Sequence, residues 1–221
     1  MRKLKTIEMN RLSLEEFKEA EKLPLVVVLD DVRSLYNVGS VFRTADAFRV
    51  EAVYLCGITA TPPHPEIHKT ALGGEDSVDW RYFENTEDAV RELQSRGYYV
   101  YAIEQVEGST KLQELFNSKF KIQNSKWADA QFGSRASQQL GSRASQQLVS
   151  RASQQLSGPA TRQPCAVIFG NEVKGVKQCV VDMSDGCLEI PQFGTKHSLN
   201  VSVTAGIVIW EFAKRQMLSA Q

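Results

Sequence analysis

The feature that most constrains the fold is a continuous apolar run, LVVVL, at residues 25–29. A strand without polar alternation is typical of a parallel sheet, because helices cover both of its faces. Similar runs predict four further strands, at 52–56, 98–103, 165–169 and 186–190. Amphipathic patterns before and between the strands predict helices at 12–21, 38–48, 86–94, 110–116, 177–183 and 198–217. Strands that alternate with helices predict an α/β fold with a mainly parallel sheet.

The chain is expected to form one domain behind a short leader. Its 221 residues, 42% of them hydrophobic, are enough to bury one substantial core. Residues 1–23 are predicted to be a charged leader with a short helix, and residues 24–221 the domain, interrupted by a low-complexity insertion at about 118–163. The insertion contains SRASQQL three times at a period of eight. That period places successive leucines on different faces of a helix, so it predicts no coiled coil.

Charge is distributed unevenly along the chain. The formal net charge is zero, which argues against nucleic-acid binding through bulk electrostatics and leaves only local patches for any such contact. Residues 131–163 carry four arginines and no acidic residue, which leaves 22 basic against 26 acidic residues elsewhere. We interpret this segment as an inert repeat expansion or linker rather than as a basic arm that contacts nucleic acid.

Composition also bounds the compartment and the ligands. The opening residues are charged, and no apolar run approaches the roughly 20 residues of a membrane span, so a cytoplasmic protein without membrane contact is expected. The four cysteines form no C-x-x-C pair, and Cys56 and Cys165 fall in strand-like runs, so reduced thiols are expected. His64 and His68 lie in a Pro-rich segment interpreted as a loop. No metal site is expected.

Three polar clusters follow predicted strands, at the strand ends where α/β sheets bind ligands. The first contains NVGSVFRT, in which Asn37 is expected to cap a helix that carries Arg43. The second, FGNEVKGV, places Glu172 between glycines that permit tight turns. The third, EIPQFGTKHSLNVSVTA, leads into a helix that Ser198 is expected to cap. Asn200 has no evident structural need there, which favours a functional site.

Together these clusters resemble the SpoU, or TrmH, family of RNA ribose 2′-O-methyltransferases within the SPOUT superfamily. The resemblance covers about residues 24–117 and 164–217. It implies a C-terminal trefoil knot, which is a rare feature among proteins, with S-adenosyl-L-methionine as cofactor and a homodimeric state. By motif, the reacting centre would be lined by Asn37, Arg43, Glu172, Ser198 and Asn200, and the cofactor would contact Gly170, Ile190 and Leu199.

Arg43 is the residue whose implied role is most open to physical argument. A guanidinium group has a pKa above about 12, so it does not readily give up a proton to become a base. We therefore expect Arg43 to clamp a phosphate and to orient the hydroxyl that is methylated. Because the family's active site lies at the dimer interface, Arg43 can serve a site that the other subunit completes. This chemistry requires no metal.

The expected function is therefore 2′-O-methylation of a ribose in structured RNA. Transfer RNA is the first choice of substrate and ribosomal RNA the second, because only about 24 residues precede the first strand, whereas several ribosomal-RNA members carry a separate N-terminal RNA-binding domain. The alternative is a catalytically silent RNA-binding or assembly module of the same fold. A dinucleotide-dependent enzyme is disfavoured, since no G-x-G-x-x-G follows a predicted strand.

Overall fold

Seven strands and seven α-helices make up the part of the chain that this computed structural model describes, residues 2–5, 8, 11–115, 163–195 and 198–219, with side chains in the last helix described as far as Lys214. The strands are β1 (Leu23–Asp30), β2 (Val50–Cys56), β3 (Asp79–Phe83), β4 (Tyr99–Ile103), β5 (Thr110–Lys111), β6 (Cys165–Phe169) and β7 (Gly186–Glu189). The helices are α1 (Leu14–Glu19), α2 (Leu35–Ala47), α3 (Pro65–Ala71), α4 (Gly74–Ser77), α5 (Thr86–Ser95), α6 (Gln178–Met183) and α7 (Val201–Ser219).

The seven strands form one parallel sheet in the order β3-β2-β1-β6-β4-β7-β5. Alternate residues of β1 contribute to two cores. Leu25, Val27 and Leu29 pack in the same apolar cluster as α2 and α7, and Val26 and Val28 pack in the cluster of α5 and α6. All five side chains are 0% exposed. The apolar run at 25–29 is therefore a strand buried on both faces, which explains its lack of polar alternation.

The predicted α/β fold is confirmed, and the five predicted strands are present with their ends shifted by at most two residues. The helix predicted at 110–116 is wrong, because Thr110–Lys111 forms β5 and a 3₁₀ turn follows at Leu112–Glu114. β5 completes the edge of the sheet by pairing with β7, and Ser109 Oγ donates to Glu189 Oε2 at 2.9 Å just before it. A helix this short has little stability of its own, so strand pairing decides the conformation.

The sequence patterns did not reveal β3, α3 or α4. β3 has the sequence DWRYF and lies at the sheet edge with mixed exposure, so it shows no alternation. α3 begins at Pro65, where the missing N–H costs no helical hydrogen bond. The loop interpretation around His64 and His68 is therefore wrong. His64 caps α3 by accepting the Glu66 N–H at Nδ1, at 3.1 Å, and His68 lies within the helix.

Some expectations about the whole chain are left as predictions. They are the trefoil knot and the boundaries of the leader, the domain and the insertion. The SRASQQL repeats lie outside the described residues. Along the described ranges, no helix has both the length and the apolar content to cross a membrane.

Candidate active site

The three polar clusters meet at the edge of the sheet formed by the carboxyl ends of its strands. β1 and β6 are hydrogen-bonded neighbours, with Leu29 opposite Phe169. The segments that follow them, 31–34 and 170–177, therefore leave the sheet side by side. The N-terminus of α7 completes the group, because Asn200 reaches Asn37 in the first turns of α2. Ligands of open α/β sheets bind at this edge.

Glu172 holds together two of these segments through its carboxylate. Its Oε2 accepts the Arg33 N–H at 3.0 Å, and its Oε1 accepts the Ser34 N–H at 3.0 Å and the Asn37 amide at 3.2 Å. Partial burial acts to raise the pKa of Glu172, but the hydrogen bonds from Arg33, Ser34 and Asn37 outweigh it and lower that pKa below 4.5. Glu172 is therefore ionised at neutral pH.

Asn37 connects this carboxylate to the third motif. Its Nδ2 donates to Glu172, and its Oδ1 accepts from Asn200 Nδ2 at 3.1 Å. Asn37 is 9% exposed, whereas Asn200 is exposed. The three side chains form a hydrogen-bonded row, which we call the Glu172–Asn37–Asn200 row. The charged end of the row fixes the orientation of both amides.

Two helix caps differ from the sequence predictions. Ser34 caps α2 by accepting the Asn37 N–H, so Asn37 lies inside the first turn rather than at the cap. Asn200, and not Ser198, caps α7: its Oδ1 accepts the Ser202 N–H at 2.9 Å and the Ser202 hydroxyl at 2.7 Å. Asn200 thus has a structural role that the sequence did not show. The cap leaves its Nδ2 available to donate to Asn37.

Asn171 shapes the loop that carries Glu172. Its Nδ2 donates to the Asp31 carbonyl at 2.7 Å, and its Oδ1 accepts the N–H groups of Val173 and Lys174 at 3.0 and 3.2 Å. Its main chain exchanges two hydrogen bonds with Gly175, which has a positive φ of 69°. Asn171 therefore holds a tight turn, and it places Glu172 beside Arg33 and Ser34.

Arg43 and Ser198 do not join the row. Arg43 lies six residues beyond Asn37, about 9 Å along α2 and about 120° around it. It is exposed and lines a cavity of about 310 Å³ together with Arg11, Asp46 and the turn between α3 and α4. Ser198 is also exposed. Within the described chain, neither side chain forms a hydrogen bond.

The three residues expected to contact the cofactor lie at the same sheet edge or just beyond it. Gly170 follows β6 and Ile190 follows β7, where Ile190 packs partly against the core. Leu199 precedes Asn200 and exposes 41% of its surface. Gly170 also has a packing role, because a Cβ there would lie 2.1 Å from the Gly175 carbonyl carbon.

We expect Gly170→Ala to destabilise the protein by about 3 kcal/mol or more, because the added methyl group overlaps main-chain atoms that cannot rotate away. Gly194→Ala is the matched control, since a Cβ there meets nothing within 4 Å. Chemical denaturation followed by circular dichroism measures both. Equal unfolding free energies for the two variants would contradict this account of Gly170.

No sequence motif indicated the ion-pair network beside this site. Asp30 is 0% exposed at the end of β1, and Lys177 Nζ lies 3.4 Å from its Oδ1 and 2.7 Å from Asp31 Oδ2. A possible signal was the pair of consecutive acids after an apolar strand, because a buried carboxylate needs a partner. In the described ranges, no group of three or more His, Cys, Asp or Glu side chains is placed to hold a metal ion.

Comparison with known proteins shows the family of this chain. The model of the SpoU rRNA Methylase family matches residues 24–210. The chain therefore belongs to the SpoU family. It is similar to the tRNA (guanosine(18)-2′-O)-methyltransferase of Thermus thermophilus, with 27% identity over 96% of this chain and 86% of that protein.

One further relative and one solved structure are similar to the chain. A 23S rRNA (guanosine-2′-O-)-methyltransferase of Ralstonia nicotianae is 25% identical over 93% of this chain, which spans 65% of that protein. The crystal structure of an AdoMet-bound rRNA methyltransferase from Sinorhizobium meliloti has a TM-score of 0.62 and 22% identity, and covers 90% of this chain and 61% of that one. At 22% identity, the similarity to this crystal structure shows a shared fold.

Proposed function

We propose that this protein transfers the methyl group of S-adenosyl-L-methionine to a ribose 2′-hydroxyl in structured RNA. The observation that carries the proposal is the Glu172–Asn37–Asn200 row, which joins the three sequence motifs at the ligand-binding edge of the sheet. Relatives named for 2′-O-methylation of guanosine support the reaction. A fold neighbour with bound AdoMet supports the cofactor.

Glu172 is better suited to orient a hydroxyl group than to remove its proton. A carboxylate has about four acceptor positions, and Arg33, Ser34 and Asn37 occupy three of them. From the described residues, Oε2 accepts a single hydrogen bond, so it has room for a hydroxyl donor. The lowered pKa of Glu172 makes it a weak base. We therefore assign Glu172 to alignment of the 2′-hydroxyl, the larger part of catalysis in a methyl transfer.

The residues expected to hold the cofactor have the chemical character that S-adenosylmethionine requires. Leu199 is an exposed apolar side chain beside Asn200, and Ile190 is half-buried at the end of β7. Two apolar side chains near a polar row suit a ligand with a flat purine and a charged end. When bound, S-adenosylmethionine supplies an electrophilic methyl group on a sulfonium. The protein's contribution would be to hold the ribose in line with that group.

Arg43 is assigned to the phosphate next to the methylated ribose. Its exposed guanidinium lines a cavity of about 310 Å³, large enough for a phosphate group. Guanidinium binds phosphate through two parallel hydrogen bonds, which fixes orientation as well as position. Ser198, which is exposed two residues before Asn200, is assigned to contact with the bound substrate.

Transfer RNA is the proposed substrate class, with ribosomal RNA second. The relative named for transfer RNA is 27% identical to this chain, which covers 86% of its length. The relative named for ribosomal RNA is 25% identical, and this chain covers 65% of its length. The cytoplasm remains the proposed location, because these relatives are named for RNA modification.

The decisive experiment is methyl transfer from tritiated S-adenosylmethionine to unmodified tRNA and, separately, to ribosomal RNA. We expect label in tRNA, recovered after alkaline hydrolysis in dinucleotides, because a 2′-O-methyl group blocks cleavage at the modified ribose. Label in mononucleotides would indicate base methylation and contradict the proposal. Label in ribosomal RNA alone would change the substrate class. Cofactor binding without label in any RNA would favour the silent RNA-binding module.

We assign the apolar stripe on α7 to a homodimer interface. Val203, Ile207 and Trp210 lie at helical spacing on one face and are 51%, 39% and 46% exposed. Aromatic side chains such as Trp210 are enriched at the cores of interfaces between subunits, and charged side chains are depleted there. A second copy of this chain is the proposed occupant, as the family resemblance implies.

We expect Trp210→Glu to convert the dimer to a monomer, because a charge would be buried without a partner in place of the largest side chain of the stripe. Size-exclusion chromatography with light scattering measures the mass. Ile58→Glu, at a side chain 66% exposed after β2, is the matched control and should remain dimeric. A monomeric wild-type protein would refute the interface.

A further inference from the structure

Two consecutive carboxylates, Asp30 at the end of β1 and Asp31 directly after it, are both contacted by one lysine from another motif. Lys177 Nζ lies 3.4 Å from Asp30 Oδ1 and 2.7 Å from Asp31 Oδ2, and the Lys177 N–H donates to Asp30 Oδ2 at 3.2 Å. Thr86 Oγ1 adds a hydrogen bond to Asp30 Oδ1 at 2.5 Å. A buried carboxylate is stable only with such partners. Lys177 therefore fixes the end of β1 through its main chain and its side chain.

The short segment between β1 and α2 is held at both ends by the loop after β6. At its first end Asp31 has a positive φ of 54°, and its carbonyl accepts from Asn171 Nδ2 at 2.7 Å. This left-handed backbone conformation is unfavourable for residues other than glycine, so it needs support from the surrounding structure. At its second end the N–H groups of Arg33 and Ser34 donate to Glu172. Any shift at Asp31 is therefore transmitted within three residues to the partners of Glu172, the N–H groups of Arg33 and Ser34.

We propose that Lys177 is a positioning residue, whose ammonium group holds this segment in the conformation that presents two backbone N–H groups to Glu172. Lys177 is not part of the Glu172–Asn37–Asn200 row, and among the described residues its ammonium group pairs with Asp30 and Asp31. The kinetic consequence rests on the proposed function, whereas the structural consequence does not. The competing role is simple neutralisation of the buried Asp30 charge, which would affect stability without affecting the geometry of the site.

Removal of both charges separates the two roles. In Lys177→Met the buried Asp30 loses its cation, so stability should fall. In the double variant Asp30→Asn, Lys177→Met no charge is left unpaired at position 30, and the Thr86 hydroxyl can accept from the new amide. Stability should then recover. The positioning role predicts that kcat nevertheless remains at least about tenfold below wild type, with a much smaller change in the KM for RNA.

Amide hydrogen exchange gives a readout that does not depend on catalysis. In the wild-type protein the Arg33 and Ser34 amides are bonded to Glu172 and should be protected. In the double variant we expect their protection to fall at least about tenfold, while amides inside β1 keep theirs. Lys18→Met is the matched control, since it removes an exposed lysine 3.9 Å from Asp79.

Wild-type kcat and wild-type protection in a stable double variant would overturn the proposal and leave charge neutralisation as the role of Lys177. Loss of protection together with loss of kcat would support it. If the wild-type protein itself methylates no RNA, the proposed function fails, and hydrogen exchange alone then decides the role of Lys177.

Discussion

Glu172→Gln is expected to reduce methyl transfer at least about a hundredfold while the protein stays folded. Glutamine has nearly the same shape, but its terminal NH₂ cannot accept a hydrogen bond from a backbone N–H. The N–H of Arg33 or Ser34 would then face a donor, and the negative charge that orders the row would be lost. Because Glu172 is exposed, the stability cost should be only about 1 kcal/mol.

The measurement is the initial rate at saturating RNA and cofactor, with thermal unfolding recorded on the same samples. Glu84→Gln is the matched control, because Glu84 is exposed beside β3, two strands away from β1. It should retain wild-type turnover. If Glu172→Gln turned over as fast as this control, Glu172 would have no place in the reacting centre.

The strands could be predicted from the sequence where both of their faces are buried, because a continuous apolar run then indicates a strand of a parallel sheet. The residues of β1 are apolar on both faces, and no amphipathic helix has such a pattern. β3 could not be predicted this way, because an edge strand with mixed exposure resembles a loop. α3 was hidden by Pro62, Pro63 and Pro65, the last of which occupies the helical position that tolerates proline.

The members of the site could be predicted from motifs, but their partners could not. Asn37, Glu172 and Asn200 lie in the segments that follow β1, β6 and β7, respectively. Ligand-binding residues gather at the carboxyl ends of parallel strands, so these three are predicted to converge. The sequence does not say which atom bonds to which. The sequence suggested no structural role for Asn200, yet its side-chain oxygen caps α7 and its side-chain nitrogen donates to Asn37. Side-chain bonds between residues 163 positions apart depend on tertiary packing.

Arg43→Ala should also reduce methyl transfer at least about a hundredfold, with little change in stability, because the side chain is exposed. Arg43→Lys should retain RNA binding and lose most turnover, since a lysine keeps the charge but not the paired hydrogen bonds. Arg91→Lys on α5 is the matched control and should behave as wild type. Filter binding and initial rates measure the two properties. Equal turnover of Arg43→Lys and wild type would contradict the clamp.

The position of Arg43 also predicts which subunit it serves. It lies about 9 Å along α2 from Asn37 and on another face, so within one chain it does not join the row. If it completes the site of the partner subunit, a mixture of Arg43→Ala and Glu172→Gln chains should regain activity. Half of the dimers in an equal, re-equilibrated mixture are mixed, and in each of these one site carries both substitutions while the other carries neither. About a quarter of all sites would then be intact in a symmetric dimer. If Arg43 served its own subunit, every site would carry one substitution, and the mixture would stay as inactive as its components.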